Sequence, residues 1–277
     1  MNSLLSLTTL GKDEINHILA VAEQMLRIVR ADFKKGPQLV GKVVGGVWDK
    51  PCAASTGFTL ATAYLSGINV PVFGAKDTME QCRLLDDMGA NIVAVSCDND
   101  NLAKSFDSVS RCKVVNAGSG RFDPVGVLAD LLTLSVRTDG LNNLSVLAVG
   151  NRDCNKVNEL IHCLELYNST FVWYLPADDF ATQRRGIVLD NPVAAFSGAD
   201  VVLDFGLSPY SDPSKYYGTK GGISQDYLDR ARINCPLLGS RKVVDNIGVN
   251  DYPYSLASDR EACYVAVAMA VLYLFNE

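Results

Sequence analysis

Residues Gly41–Gly67, GKVVGGVWDKPCAASTGFTLATAYLSG, change character half-way along. Val43, Val44, Val47 and Trp48 form a short apolar, β-branched run after a glycine, which predicts a strand. Leu60, Ala61, Ala63, Tyr64 and Leu65 recur at helical spacing, which predicts a helix. Between them Asp49, Lys50 and Pro51 mark a turn, followed by small residues and the hydroxyls of Ser55 and Thr56. A strand that feeds a helix N-terminus through such a turn is suited to an anion. Backbone N–H groups converge there and the helix dipole favours negative charge. Every βα unit makes a turn of this kind, so the pattern alone leaves a ligand and a plain connection both open.

Working outward, the same alternation recurs. Ile15, Ile18, Leu19, Ala22, Met25, Leu26 and Val29 predict an amphipathic helix over about 12–34. After residue 67 come a strand at 68–73, a helix near 78–88, a strand at 92–95, a helix at 102–109 and a strand at 114–118. A long apolar helix follows at 124–136, and the polar connection 138–143 marks a domain boundary near residue 135. A second series has strand 144–149, helix 157–166, strand 171–175, a helix near 193–197 and strand 201–205. Ser208–Gly222, rich in Tyr, Ser, Pro and Gly, predicts a mobile loop. Val244–Asn246 closes a short element, and 255–275 forms a terminal helix. Strands alternating with helices in this way predict parallel, doubly wound sheets.

The bulk numbers narrow the class. At 277 residues with 48% hydrophobic content, the chain is long enough for two α/β domains with substantial cores. A net charge of −6 gives no electrostatic reason to expect nucleic acid or an anionic membrane surface. The N-terminus has no basic leader and soon meets Asp13 and Glu14. The apolar run at 262–275 is too short to span a bilayer. The eight cysteines are scattered without a C-x-x-C pair, which argues for a reducing, cytoplasmic setting and against disulfides or a zinc site. The turn 149–153 lacks G-x-G-x-x-G, so no dinucleotide is expected. Asp98–Asn101 lacks the glycine and distal glutamate of a calcium loop. No metal and no cofactor are expected.

Aligned without a gap, 41–67 resembles the carbamoyl-phosphate loop of the aspartate and ornithine carbamoyltransferases. That loop carries a Phe-Glu pair, then Ser-Thr-Arg-Thr-Arg, then a helix ending in Leu-Gly. The five signature positions fall on Cys52, Ala53, Ala54, Ser55 and Thr56, so both arginines are absent. The resemblance covers essentially the whole chain. Asn116-Ala117-Gly118-Ser119-Gly120 is similar to the family's Asn-Ala-Gly-Asp-Gly turn, and Asp130–Leu134 to the helix after it. Asp212-Pro213-Ser214-Lys215-Tyr216 is similar to the second substrate's loop. The resemblance implies two doubly wound parallel-sheet domains linked by two long helices. Residues 1–135 correspond to the carbamoyl-phosphate domain and 136–254 to the amino-acid domain, with 255–277 returning to the first. It also implies a trimer.

The chemistry the resemblance implies is noncovalent. An amine attacks carbamoyl phosphate, and catalysis rests on cationic and hydrogen-bonding groups at fixed points. The family's His-Pro-Thr-Gln falls on Asp123-Pro124-Val125-Gly126, which replaces the carbonyl-polarising histidine by an acid. The family arginine after the third strand falls near Val95 or Ser96. The lysine loop is shortened around Gly74–Asp77, where Lys76 stands. The substrate arginine beyond Gly150 and Asn151 falls on Lys156. The Arg-x-Gln pair falls on Gly206 and Ser208, and His-Pro-Leu-Pro on Cys235-Pro236-Leu237-Leu238. Each charge-assisted hydrogen bond contributes roughly 1.5–3 kcal/mol, and no smaller residue copies arginine's bidentate fork. Losing three such groups costs roughly 5–9 kcal/mol if additive, on the order of 10³-fold or more in affinity. Backbone N–H groups at 53–56 are left to hold a small anion weakly.

Few other groups carry chemistry. His17 and His162 lie on predicted helices away from these turns. Cys52 at a helix start invites a lowered thiol pKa, but no base partner is evident. For Lys50, Asp123 and Lys156 a structural ion pair and a ligand contact both stay open. The expectation is therefore a carbamoyltransferase-like protein with a retained scaffold and a stripped site. It would be a structural or regulatory homotrimer, or a partner of an active carbamoyltransferase in a mixed assembly. The alternatives are a cleft re-purposed for a less anionic ligand and, third, a genuine carbamoyltransferase.

Overall fold

The computed structural model describes residues 3–99, 101–150, 157–176, 185–220, 222–239 and 252–276. The chain divides into two compact units, 1–132 with 261–277 and 133–260. In the first, α1 (Lys12–Arg30) precedes β1 (Val43–Trp48), α2 (Ala53–Tyr64), β2 (Ile68–Phe73), α3 (Thr78–Asp87), β3 (Ile92–Ser96), α4 (Leu102–Asp107) and β4 (Lys113–Asn116). The four strands form one parallel sheet in the order β2-β1-β3-β4. β1 and β3 are central and almost wholly buried, which explains their continuous apolar runs. β2 is an edge, and Pro71 sits in it without losing a ladder bond that a central strand would need. The opposite edge is covered by the N-terminal segment. The Leu4 N–H donates to the Val114 carbonyl at 2.9 Å, and the Asn116 N–H donates to the Leu4 carbonyl at 2.8 Å.

Two glycines of β1 admit close packing. A Cβ at Gly45 would lie 2.8 Å from Leu85 Cδ1 of α3, and one at Gly46 would lie 2.4 Å from the Trp48 indole nitrogen. On the helix, a Cβ at Gly57 would lie 2.6 Å from the Tyr264 ring, so α2 seats directly on the C-terminal helix. Gly57→Val is accordingly expected to destabilise the protein by about 1–3 kcal/mol through overpacking. Urea denaturation checks this, and an unchanged midpoint counts against the contact.

Asp86, at the end of α3, fastens the turn before β4. Its carboxylate accepts the N–H groups of Cys112 at 2.9 Å and Arg111 at 3.1 Å. Partial burial pushes this carboxyl up, but the two hydrogen bonds and the Arg111 charge outweigh it and hold it below its ordinary value. A group depressed in the folded state contributes stability above its unfolded pKa, about 3.9 for aspartate. That contribution is lost as the pH falls through the folded value. Asp86→Ala should therefore lower the urea midpoint at pH 7 and cost progressively less below pH 4. An equal loss at pH 7 and pH 3 would contradict this.

The second unit begins in α5 (Pro124–Arg137), which carries the chain across the division at 132/133. It contains β5 (Ser145–Val149), α6 (Val157–Leu166), β6 (Thr170–Tyr174), β7 (Ile187–Leu189), α7 (Pro192–Phe196) and β8 (Val201–Asp204). After these come α8 (Pro213–Tyr217), α9 (Gln225–Leu228), β9 (Leu237–Gly239) and the start of α10 (Ala257–Asn276). Its parallel sheet has the order β7-β6-β5-β8-β9. Asp200, buried beside β8, accepts the Ser145 N–H at 2.8 Å and pairs with Arg232. Arg137, in the last turn of α5, pairs with Asp259, in the first turn of α10, at 2.8 Å. Each charge there suits its own helix dipole.

The segment 208–222 departs from its composition. It contains α8, and Tyr216 and Tyr217 are buried at 2% and 4% exposure. Aromatic burial there outweighs the loop-forming residues around it. The short element at 244–246 lies outside the described residues. No helix among the described residues is long and apolar enough to cross a membrane.

Candidate functional site

In the first unit the candidate residues stand where β1, β3 and β4 end. Cys52 is the N-cap of α2, with extended backbone at φ −151° and ψ 174°. The Ser55 hydroxyl accepts the Cys52 N–H at 3.0 Å and donates to the Cys52 carbonyl at 2.9 Å. Ser55 is therefore buried and engaged in starting the helix. Ala53 and Ala54 offer only methyl groups, Thr56 is exposed, and the half-buried Cys52 thiol is free. Lys50, Lys76 and Arg121 are all exposed.

Acidic groups hold this end of the sheet together. Asp49 donates its N–H to the Ser96 carbonyl at 3.2 Å, and its carboxylate accepts the Asp98 N–H at 2.8 Å. Burial raises the Cys97 thiol above its ordinary value, and the Asp49 and Asp98 charges add to the shift.

The turn after β4 is fixed by Asn116, whose side-chain oxygen accepts the N–H groups of Gly118 at 3.1 Å and Ser119 at 2.7 Å. Ser119 in turn accepts the Cys97 N–H at 3.2 Å and donates to the Val95 carbonyl at 3.1 Å. Ser96 donates to the Gly118 carbonyl at 3.2 Å. Asp123 caps α5 by accepting the Gly126 N–H at 2.9 Å, and a Cβ on Gly118 would lie 3.8 Å from its carboxyl. The structure therefore brings Asp49, Cys52–Thr56, Ser96, Gly118 and Asp123 to one sheet end, with no cationic side chain at positions 52–56.

In the second unit, Gly206 is buried just beyond β8 and its N–H donates to Asp204 at 2.8 Å. Ser208 is half-buried and accepts the Tyr210 N–H at 3.4 Å. Pro236 is half-buried. Leu237 is buried in β9, where its N–H donates to the Tyr254 carbonyl at 3.0 Å. Asn151 and Lys156 lie outside the described residues. His17 is exposed on α1, and His162 is half-buried on α6. Among the described residues, no group of three or more His, Cys, Asp or Glu side chains could hold a metal ion.

Comparison with known proteins bears on these positions. Residues 2–136 match the family model described as aspartate/ornithine carbamoyltransferase, carbamoyl-P binding domain. The aspartate carbamoyltransferase catalytic subunit of Carboxydothermus hydrogenoformans is 28% identical over 295 residues, covering 98% of this chain and 95% of that protein. The catalytic subunit of Heliobacterium modesticaldum is 26% identical, with 98% and 94% coverage. The first half of the chain thus matches the carbamoyl-P binding domain of the aspartate/ornithine carbamoyltransferases, and its full length is similar to their catalytic subunits. The fold agrees over its full length. Ornithine carbamoyltransferase from Thermus thermophilus superposes with a TM-score of 0.83 at 22% identity, covering 100% of this chain and 99% of that one. The catalytic subunit of M. jannaschii aspartate transcarbamoylase gives 0.84 at 20% identity, covering 99% and 98%. Two parallel-sheet α/β domains are therefore this chain's architecture as well as the family's.

Measured against the family's loop, the backbone of 41–67 is a strand, a turn and a helix in the same order. The side chains at 52–56 differ in chemistry. The Asn-Ala-Gly turn keeps a structural task here, because Asn116 and Ser119 tie β3 to β4 through their own hydrogen bonds. Sequence reasoning missed β7, α9, β9 and the tyrosine contacts of α8. The capping pairs Asp212-Pro213 and Ser224-Gln225 were the signals available for the two helices.

Proposed function

We propose that this chain is an aspartate carbamoyltransferase-like protein that does not transfer the carbamoyl group. It would act in the cytoplasm as a structural or regulatory subunit, as a homotrimer or in mixed assembly with an active carbamoyltransferase. The observation that carries this reading is the start of α2. Positions 52–56 present a thiol, two methyl groups and the Thr56 hydroxyl, the Ser55 hydroxyl being engaged in the helix start, with Asp49 beside them. A multiply charged phosphate brought to that place meets no guanidinium at positions 52–56, so the transition state lacks the electrostatic stabilisation that such charges give. Assembly is supported by the edge strand β2, which exposes Ile68, Val70 and Phe73. The relatives' designation as catalytic subunits supports it too.

Calorimetry with carbamoyl phosphate, with thermal unfolding alongside, tests the proposal. Binding no tighter than millimolar and an unchanged Tm are expected, since a ligand present at its Kd adds only about 0.4 kcal/mol. Micromolar binding, or formation of a carbamoylated amino acid, would return the chain to the enzymes, as its relatives' names suggest. Co-purification with an active carbamoyltransferase at a fixed ratio supports mixed assembly, and self-association alone supports the homotrimer.

A second reading is favoured by the same carboxylates: the sheet end is re-purposed for a neutral or cationic ligand. A thermal-shift series of small amines against small anions separates the two, because only the re-purposed site gains stability from the amines.

A further inference from the structure

Residues 27–42, from the last turn of α1 to the start of β1, carry Arg27, Arg30, Lys34, Lys35 and Lys42 against one acid, Asp32. They hold a net +4 in a chain of net −6, so the other residues carry −10. Arg27, Arg30 and Lys35 are exposed, and Lys34 and Lys42 are half-buried. Two apolar side chains stand exposed among them, Phe33 at 78% and Val40 at 65%. The stretch is fixed in place all the same. The Gly36 N–H donates to the Tyr64 carbonyl at 2.7 Å and the Leu39 N–H to the Leu65 carbonyl at 2.8 Å. The Asn276 side-chain amide donates to the Gln38 carbonyl at 2.8 Å, and Leu39 is fully buried. These bonds make an ordered strap across the C-terminal ends of α2 and α10. The end of α1 accounts for part of the charge, because Arg27 and Arg30 complement its dipole and Lys34 donates to the Ala31 carbonyl. It does not account for Lys35, Lys42, Phe33 or Val40.

We propose that the strap 27–42 is a docking surface for a second protein, whose contacting face is acidic and offers an apolar recess to Phe33. Charge complementarity sets the sign of that partner. The exposed aromatic is an anchor of the kind that dominates interfaces, and the cations around it steer the encounter. The backbone bonds hold the strap beforehand, so docking orders little more than side chains. A nucleic acid is a poorer occupant. A net +4 neutralises few phosphates, and the −10 on the remaining residues repels a long polyanion. A bilayer is poorer too. The apolar stripe of α1, from Ile15 to Leu26, is buried in the core, which leaves no amphipathic face to enter lipid. The strap leads into the amino end of β1, and positions 49–56 follow the carboxyl end of the same strand. The docking surface therefore goes beyond the proposed loss of transferase activity and does not depend on it.

Fluorescence anisotropy on the full chain tests the surface, with a labelled helical peptide bearing glutamates on one face and leucines on the other. Wild type is expected to bind it in the micromolar range at low ionic strength, and roughly tenfold more weakly at physiological salt. Arg27→Glu with Lys35→Glu should weaken binding roughly tenfold or more, and Phe33→Ser by a similar factor. Arg83→Glu with Lys104→Glu makes the same change in net charge at exposed residues of α3 and α4. That pair should leave binding within about twofold of wild type. No binding of the peptide, or an equal loss in both charge-reversed pairs, overturns the proposal. So does tighter binding to phosphatidylserine vesicles or single-stranded DNA that Arg27→Glu with Lys35→Glu abolishes, since the strap would then serve lipid or nucleic acid. Self-association in sedimentation that the same pair abolishes would assign the strap to a second copy, which overturns it as well. Carbamoyl phosphate is not read in this test, so its failure and the failure of the proposed function are separable.

Discussion

Replacing Ala54 and Thr56 together by arginine is expected to tighten binding of inorganic phosphate and carbamoyl phosphate by roughly 10²- to 10⁴-fold. Both positions lie in the first turn of α2, where the dipole favours an anion, although the Thr56 N–H already donates to the Cys52 carbonyl at 3.1 Å. Each guanidinium adds a charge-assisted contact of about 1.5–3 kcal/mol, hence about 3–6 kcal/mol for the pair if additive. Asp49 and the exposed Asp98 compete for the new charges, so the gain should be larger when Asp98→Asn is added. Calorimetry at low ionic strength reads the effect with least screening. No gain in the double or triple variant would mean that the backbone of 52–56 does not retain an anion site. The picture of an intact loop stripped only of its arginines would then fail.

The alternation of strand and helix was legible because parallel strands buried on both faces read as short valine-rich runs uninterrupted by charged residues. Val43–Trp48, Ile92–Ser96 and Ser145–Val149 all do so. The strands that escaped, Ile187–Leu189 and Leu237–Gly239, are three residues long, too short for any periodicity. They exist because β6 and β8 offer them ladder partners. α8 was hidden by its own composition. Tyr, Ser and Pro suggest a loop until Tyr216 and Tyr217 are seen to be buried. At the candidate site the residue types were plain, but their tasks were not. Ser55 spends its hydroxyl on the helix start, and Asp49 reaches across to a backbone N–H that lies 49 residues on. Asp204 and Tyr217 are 13 residues apart with no local motif between them. Partnerships of this kind are set by the sheet order, which no local pattern encodes.

Trp173→Ala is expected to cost about 3–5 kcal/mol of stability, the range for truncating a large buried aromatic. Trp173 is 1% exposed on β6. Its ring meets Phe171 edge-on at 5.3 Å and Phe205 at 5.7 Å. Its indole N–H donates to the Arg185 carbonyl at 3.0 Å, just ahead of β7. Alanine removes the volume, both ring contacts and the hydrogen bond together. Trp173→Phe keeps most of the volume and leaves the Arg185 carbonyl without this donor, so a smaller loss of about 1–3 kcal/mol is expected. Urea denaturation of the two variants separates packing from the polar contact. Equal losses would assign the effect to the hydrogen bond and to the docking of β7. A loss for Trp173→Ala alone would assign it to packing against Phe205. Phe205 lies between Asp204 and Gly206, so a cavity beneath it should also disturb the turn that Asp204 organises. Exchange at Gly206 and Leu207 should then rise in Trp173→Ala more than in Trp173→Phe.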